Sequence, residues 1–205
     1  WTAAGGMTGL SDVVGGAFPS RVTAISDDGN AVVGGVQLHP FRWMLGATSA
    51  WQGASPAGVD CYAAGVSADG NTTVGANTVN APGSPGFVFD AFLLRSAAGT
   101  DVMTSLGKLG GYNSSQCWAV SADGSTAVGN AFNIFRFSQG AGPAFRWTSA
   151  GGMVSLGDLS QGNLGSSARS VSADGKTIVG YAPTSGGLET FVWTEASGLQ
   201  SLKAV

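Results

Sequence analysis

Small and apolar residues alternate with polar ones along short runs of this chain, and the runs come in pairs about an Asp-Gly. "SARSVS" (167–172) leads into "ADG", and "KTIVGY" (176–181) runs out of it. Period-two alternation marks a half-buried strand, and Asp-Gly between two such runs predicts a hairpin on a type I′ turn. After a variable loop comes "ETFVWT", then the Gly-containing turn "EASG", then "LQSL". The pattern predicts a unit of four short antiparallel strands.

The unit recurs. "ISDDGNAVVG" (25–34), "VSADGNTTVG" (66–75), "VSADGSTAVG" (120–129) and "VSADGKTIVG" (171–180) are copies of one hairpin. Their closing glycines, Gly34, Gly75, Gly129 and Gly180, lie 41, 54 and 51 residues apart, within the range of propeller blades. We therefore expect an all-β fold, a β-propeller-like array of four-stranded antiparallel units. A β-solenoid, whose rungs are shorter and more uniform, is the alternative. The chain reads as a single repeat domain over 1–205, with units at about 21–58, 59–111, 112–162 and 163–205. A half unit at 1–17 precedes them, since "WTAAGGMTGLSDVVGG" (1–16) aligns with "WTSAGGMVSLGDLSQG" (147–162).

Within the units, Asp28-Gly29, Asp69-Gly70, Asp123-Gly124 and Asp174-Gly175 are assigned to turns. Phe41 with Trp43, Phe145 with Trp147, and Phe191 with Trp193 stand two apart, so each pair shares a strand face. Their recurrence at one position predicts packing between adjacent units.

Composition narrows the classes. Charged residues make up 10% of the 205 residues, against about 25% in ordinary domains. Hydrophobic residues make up 43%, and there are 34 glycines, the profile of a folded, turn-rich chain and not of a disordered one. A net charge of −3 offers no basic surface, so no nucleic-acid partner is expected. No apolar run reaches the length of a membrane span. Cys61 and Cys117 are expected either to form one disulfide between neighbouring units or to stand as two small buried thiols.

Catalytic chemistry is hard to assemble. His39 is the single histidine, which disfavours a triad or a His-rich metal site. Glu189 and Glu195 are the only glutamates, and four of the aspartates are absorbed by turns. Asp27, Asp28 and Asn30 offer oxygens, but the further ligands of an EF-hand loop are missing. We expect no enzyme, no metal and no cofactor.

The "SADG…VG" hairpin, the "FRWT" strand and the "GGM…LGDL" return resemble the HAF-type bacterial extracellular repeats, which also occur in autotransporter-like proteins. The His-Ala-Phe signature is approximated by His39-Pro40-Phe41 and by "DAF", "PAF" and "ETF" in the other copies. The resemblance spans nearly the whole chain and implies secretion or surface display, with no activity attached.

The functional expectation is a secreted or surface-displayed structural or interaction protein whose partners are copies of itself. Unpaired strand edges recruit other strands, and a head-to-tail contact that does not close makes a filament. Strand complementation by the N-terminal hairpin would place Trp1, Met7 and Leu10 at the joint. The alternative is a carbohydrate-binding or sugar-processing propeller, with surface glycans meeting aromatics of variable loops such as Phe132, Phe135, Phe137 or Trp51.

Overall fold

The structure, a computed structural model, describes residues 20–36, 39–45, 51–52, 61–80, 86–97, 100–134, 141–159 and 165–203. Its strands form four antiparallel sheets of four, each a meander in chain order. The first sheet holds β1 (Ser20–Ile25), β2 (Ala31–Val36), β3 (His39–Met44) and β4 (Trp51–Gln52). The second holds β5 (Tyr62–Val66), β6 (Thr72–Asn80), β7 (Phe87–Ala97) and β8 (Thr100–Gly107). The third holds β9 (Ser114–Val120), β10 (Thr126–Phe132), β11 (Ala141–Thr148) and β12 (Gly152–Gly157). The fourth holds β13 (Ser167–Val171), β14 (Thr177–Thr184), β15 (Gly187–Thr194) and β16 (Gly198–Ser201). Successive sheets pack face on face, with β2 against β5, β6 against β9, and β10 against β13. First strands also neighbour first strands, from β1 through β5 and β9 to β13, more closely than the fourth strands approach one another. The sheets therefore fan out from their first strands.

The repeated decapeptide is explained by what it holds in place. In each turn a Ser hydroxyl donates to the Asp carboxylate, at 2.5 Å from Ser26 to Asp28 and 2.6 Å from Ser121 to Asp123. The same Ser oxygen accepts the N–H that opens the second strand, as from Ala31 and Thr126. The Asp accepts the backbone N–H two residues on, and Gly29, Gly70, Gly124 and Gly175 donate back to the Ser carbonyl with φ near +70°. The hairpins form where expected, but the turns are not two-residue type I′ turns. Each is a four-residue loop such as 27–30, closed by the Ser26 N–H to Ala31 carbonyl bond, because the Ser and Asp side chains stabilise a wider reversal.

The closing glycine of the motif answers a steric demand. The first strand of every sheet bulges opposite it, between Val22 and Ala24, Ala63 and Gly65, Cys117 and Ala119, and Ala168 and Ser170. A Cβ at Gly129 would stand 1.9 Å from the Gln116 carbonyl oxygen and 2.8 Å from the Phe145 ring. Gly34, Gly75 and Gly180 are crowded in the same way.

Between sheets the core is apolar and layered. Val74, Leu93 and Leu106 of the second sheet meet Cys117, Ala127 and Phe145 of the third. Val128, Ala144 and Leu156 of the third meet Ala168, Ile178 and Phe191 of the fourth. Phe145 and Phe191 are fully buried, with Trp147 and Trp193 packed beside them, while Phe41 and Trp43 lie in a third cluster with Val32 and Val36. The second sheet substitutes Phe92 and Leu94 at these positions, both buried.

Backbone hydrogen bonds join the turns of neighbouring sheets. The Asp28 N–H reaches the Ala68 carbonyl, Ala68 N–H the Ala122 carbonyl, and Ala122 N–H the Ala173 carbonyl. Side chains add to the stitching. Ser115 donates to the Gly107 carbonyl and accepts from the Ala91 N–H, and Ser166 does the same with Gly157 and Ala144.

Candidate functional site

Two regions stand apart from this repeating frame. The first is a cleft of about 880 Å³ bordered by the first strands. A bulge re-aims a side chain while leaving the rest of the ladder intact, and here the bulged residues are Thr23, Ala64, Trp118 and Arg169. Three of these line the cleft, together with Arg21, Tyr62 and Gln116, which occupy one repeat position two residues earlier. The surrounding motif is nearly constant, yet both of these positions carry a different residue in every copy. A uniform scaffold thus presents a varied surface.

Those side chains form an ordered group. The Trp118 ring stacks at a 32° tilt on Tyr62, centroids 5.8 Å apart, and the Arg169 guanidinium lies 4.1 Å from the Trp118 ring centre. The Tyr62 hydroxyl donates to Gln116 at 3.0 Å, and the Trp118 indole N–H donates to Asn130 at 2.9 Å. Gln116 donates to the same Asn130 oxygen, and Arg169 donates to the Tyr181 hydroxyl. Burial pushes the Tyr62 phenol up to about 12, so it stays neutral and keeps its proton for Gln116. Among the described residues no carboxylate lines the cleft, and neither Arg21 nor Arg169 pairs with one.

The second region is the outward face of the fourth sheet. Val179 and Leu202 occupy the repeat positions of Val128 and Leu156 in the third sheet. Leu156 is 7% exposed and Leu202 47%; Val128 is 0% exposed and Val179 36%. Thr177 and Thr190, matching buried Thr126 and Ala144, are exposed too. The turn-to-turn ladder ends at the Ala173 carbonyl. This face is exposed where the equivalent face of the third sheet is covered by the fourth.

Of the residues singled out from sequence, Cys61 lines the cleft. The turn aspartates are structural: hydrogen bonds from Ser121 and from the Ser125 N–H hold Asp123 down to about 2, and the Ser and backbone donors of their own turns lower Asp28, Asp69 and Asp174 likewise. Cys61 and Cys117 are buried thiols and form no disulfide. Cys61 donates to Asn77 at 2.7 Å within its own sheet, whereas Cys117 faces the Val128 carbonyl and the core between second and third sheets, its pKa pushed up to about 12 by burial. Trp1, Met7 and Leu10 lie outside the described residues, as do Phe135 and Phe137. Phe132 packs at a tilt against Phe89, 5.8 Å between centroids. Glu189 accepts from Lys203 and Ser201, which together lower its pKa. Sequence reasoning missed Tyr62, Gln116, Trp118 and Arg169. Their signal was available: they are the positions at which otherwise matching repeats disagree.

No protein-family model and no curated protein sequence matches the chain. Among solved structures it is similar to TolB from Acinetobacter baumannii, with 15% identity over 93% of this chain and 45% of that one, TM-score 0.59. It is also similar to a putative TolB from Agrobacterium tumefaciens, with 18% identity over 90% of this chain and 62% of that one, TM-score 0.61. The chain thus spans about half to three-fifths of the length of these structures, and what it has in common with them is a propeller-like, all-β fold of four-stranded antiparallel sheets.

Proposed function

We propose that the chain is a non-catalytic, extracellular β-propeller of the HAF-repeat type that works as a structural and interaction module, joining copies of itself head to tail. The observation that carries this reading is the open face of the fourth sheet. Val179, Leu202, Thr177 and Thr190 stand where the middle sheets bury their equivalents under the next sheet. An apolar sheet face built to a repeating pattern is best covered by another unit of the same pattern. A fourth-sheet face meeting the N-terminal end of a second copy is a heterologous contact, which propagates. Residues 1–17, read as third and fourth strands, are the proposed donor at that joint. The HAF resemblance supports export, and the sparse lysines fit a surface that does not guard its edges against assembly.

Negative-stain electron microscopy of the protein with and without residues 1–17 tests this reading. Fibres that are lost on deletion are expected. Discrete particles in both samples would overturn it.

A further inference from the structure

The cleft at the first strands shares no described residue with the exposed face of the fourth sheet, and its construction has no counterpart in the packing of the sheets. Every first strand bulges for the same reason, the close approach of its carbonyl to the motif glycine. The bulge is conformational and repeats; the residue it turns outward does not repeat. Were these positions only filling space, four nearly identical frames would be expected to use similar side chains. Instead Thr23, Ala64, Trp118 and Arg169 follow one another round the fan, with Arg21, Tyr62, Gln116 and Ser167 at the companion position.

The chemistry of the group is one-sided. Trp118 contacts both the Tyr62 ring and the Arg169 guanidinium, and its indole N–H is held by Asn130, so it serves as a fixed support. What it supports is a guanidinium whose position is fixed further by the Tyr181 hydroxyl and by the Tyr181 ring, 5.0 Å from its carbon. Arg169 nevertheless remains exposed, and Arg21 is exposed on the lining of the cleft. In a chain of net charge −3, a cleft with Arg21 on its lining, Arg169 stacked on its Trp118 and no carboxylate among its described lining residues is a local reversal of sign. Preorganised guanidinium next to neutral amide and hydroxyl groups is the donor set that recognises a carboxylate bearing further hydroxyls. The volume suits a ligand of a few rings, within the ordinary range of small-molecule sites.

We infer that this cleft is a binding site for a carboxylate-bearing oligosaccharide. Arg21 takes a carboxylate from the lining and Arg169 another from its place on Trp118, while Gln116, Tyr62 and Thr23 meet ring hydroxyls, and the contacts with Trp118 and Tyr181 keep the Arg169 guanidinium in place. The site is independent of the proposed joint between copies, so each stands or falls alone.

Calorimetric titration of dilute protein with a galacturonic acid trimer, alongside the neutral galactose trimer, is the test. The acidic trimer is expected to bind with Kd between about 10 μM and 1 mM and more weakly as salt is raised. The neutral trimer is expected to bind at least about tenfold more weakly, and Arg169→Gln and Arg21→Gln each to cost about tenfold, the worth of a charge-assisted hydrogen bond. Lys176→Gln, in a turn away from the cleft, is expected to leave binding unchanged. Equal affinity for the two trimers, no heat from either up to about 5 mM (weaker than ordinary specific binding), or binding of an acidic peptide in place of the acidic trimer would overturn the inference.

Discussion

Strands β10 and β14 read almost alike, "TAVGNAF" and "TIVGYAP", and both are second strands flanked by antiparallel neighbours. In β10 the first four residues are buried without interruption, whereas β14 alternates between exposed and buried. The two strands do not differ in what they make within their own sheets. Both have the Ser–Asp turn, the crowded glycine and the aromatic of the third strand below it. They differ in having a sheet on both faces or on one. Two classes of interaction thus separate cleanly in this fold. Some belong to the sheet and are present four times; others belong to the contact between sheets and are present only where a following sheet exists.

Substitutions can be chosen to break that separation. The largest effect is expected for Gly129→Ala, where the added methyl meets a carbonyl oxygen at 1.9 Å. A clash with backbone cannot relax by side-chain rotation, and a loss of more than about 4 kcal/mol is expected. Gly180→Ala should be as damaging, because its clash with the Ser167 carbonyl at 2.0 Å lies within the sheet. Denaturant titration of both variants checks this; a much milder Gly180→Ala would show that the device is not autonomous to a sheet.

The next effect should be unequal. Leu156→Ala removes a side chain packed against the fourth sheet and is expected to cost about 2–4 kcal/mol. Leu202→Ala, at the matching position on the open face, is expected to cost less than about 1 kcal/mol in dilute protein. Equal costs in the same titration would contradict the comparison. Smaller than the loss at Leu156 is that of Ser115→Ala, which orphans the Ala91 N–H and the Gly107 carbonyl at about 1–3 kcal/mol. No such residue follows the fourth sheet among the described residues.

The smallest expected effect is in acid. The Asp123 carboxyl titrates at about 2 in the folded chain, held down by the Ser121 hydroxyl and the Ser125 N–H, against about 3.9 when unfolded. A depressed folded value means that the unfolded chain takes the proton first. Its stabilisation is therefore complete above about pH 4 and lost as the pH falls from there towards 2. Asp28, Asp69 and Asp174 shift in the same direction, so open and covered sheets should lose it alike. Melting temperature against pH should fall in that window, and less steeply for Asp123→Asn.

Much of this fold was legible in the repeats. Strand number, hairpin pairing and the burial of Phe145 and Phe191 follow from alternation and spacing. The reason the motif ends in glycine was not, because it depends on a bulge in the partner strand that no local pattern announces. The turn type was misjudged for a related cause: Asp-Gly favours a two-residue turn, but the Ser two residues before the Asp closes a longer loop through its side chain. The cleft was not legible, because it is built from the positions at which the repeats differ. Trp118 and Arg169 are separated by 51 residues in the chain and meet only when two sheets pack, and neither belongs to the recurring motif. The open face could not be read either, since "TIVGYAP" carries the same apolar character as its buried counterpart.

The central claim is that the fourth sheet presents an unfilled inter-sheet contact suited to a second copy. Sedimentation equilibrium of the wild type and of a Val179→Lys, Leu202→Glu variant tests it most directly, since both changes lie on the exposed face and away from the intrachain core. The account predicts a wild-type mass that rises with concentration and a variant that stays monomeric with an unchanged melting temperature. A wild type that remains monomeric, or a variant that assembles as well as the wild type, would contradict it.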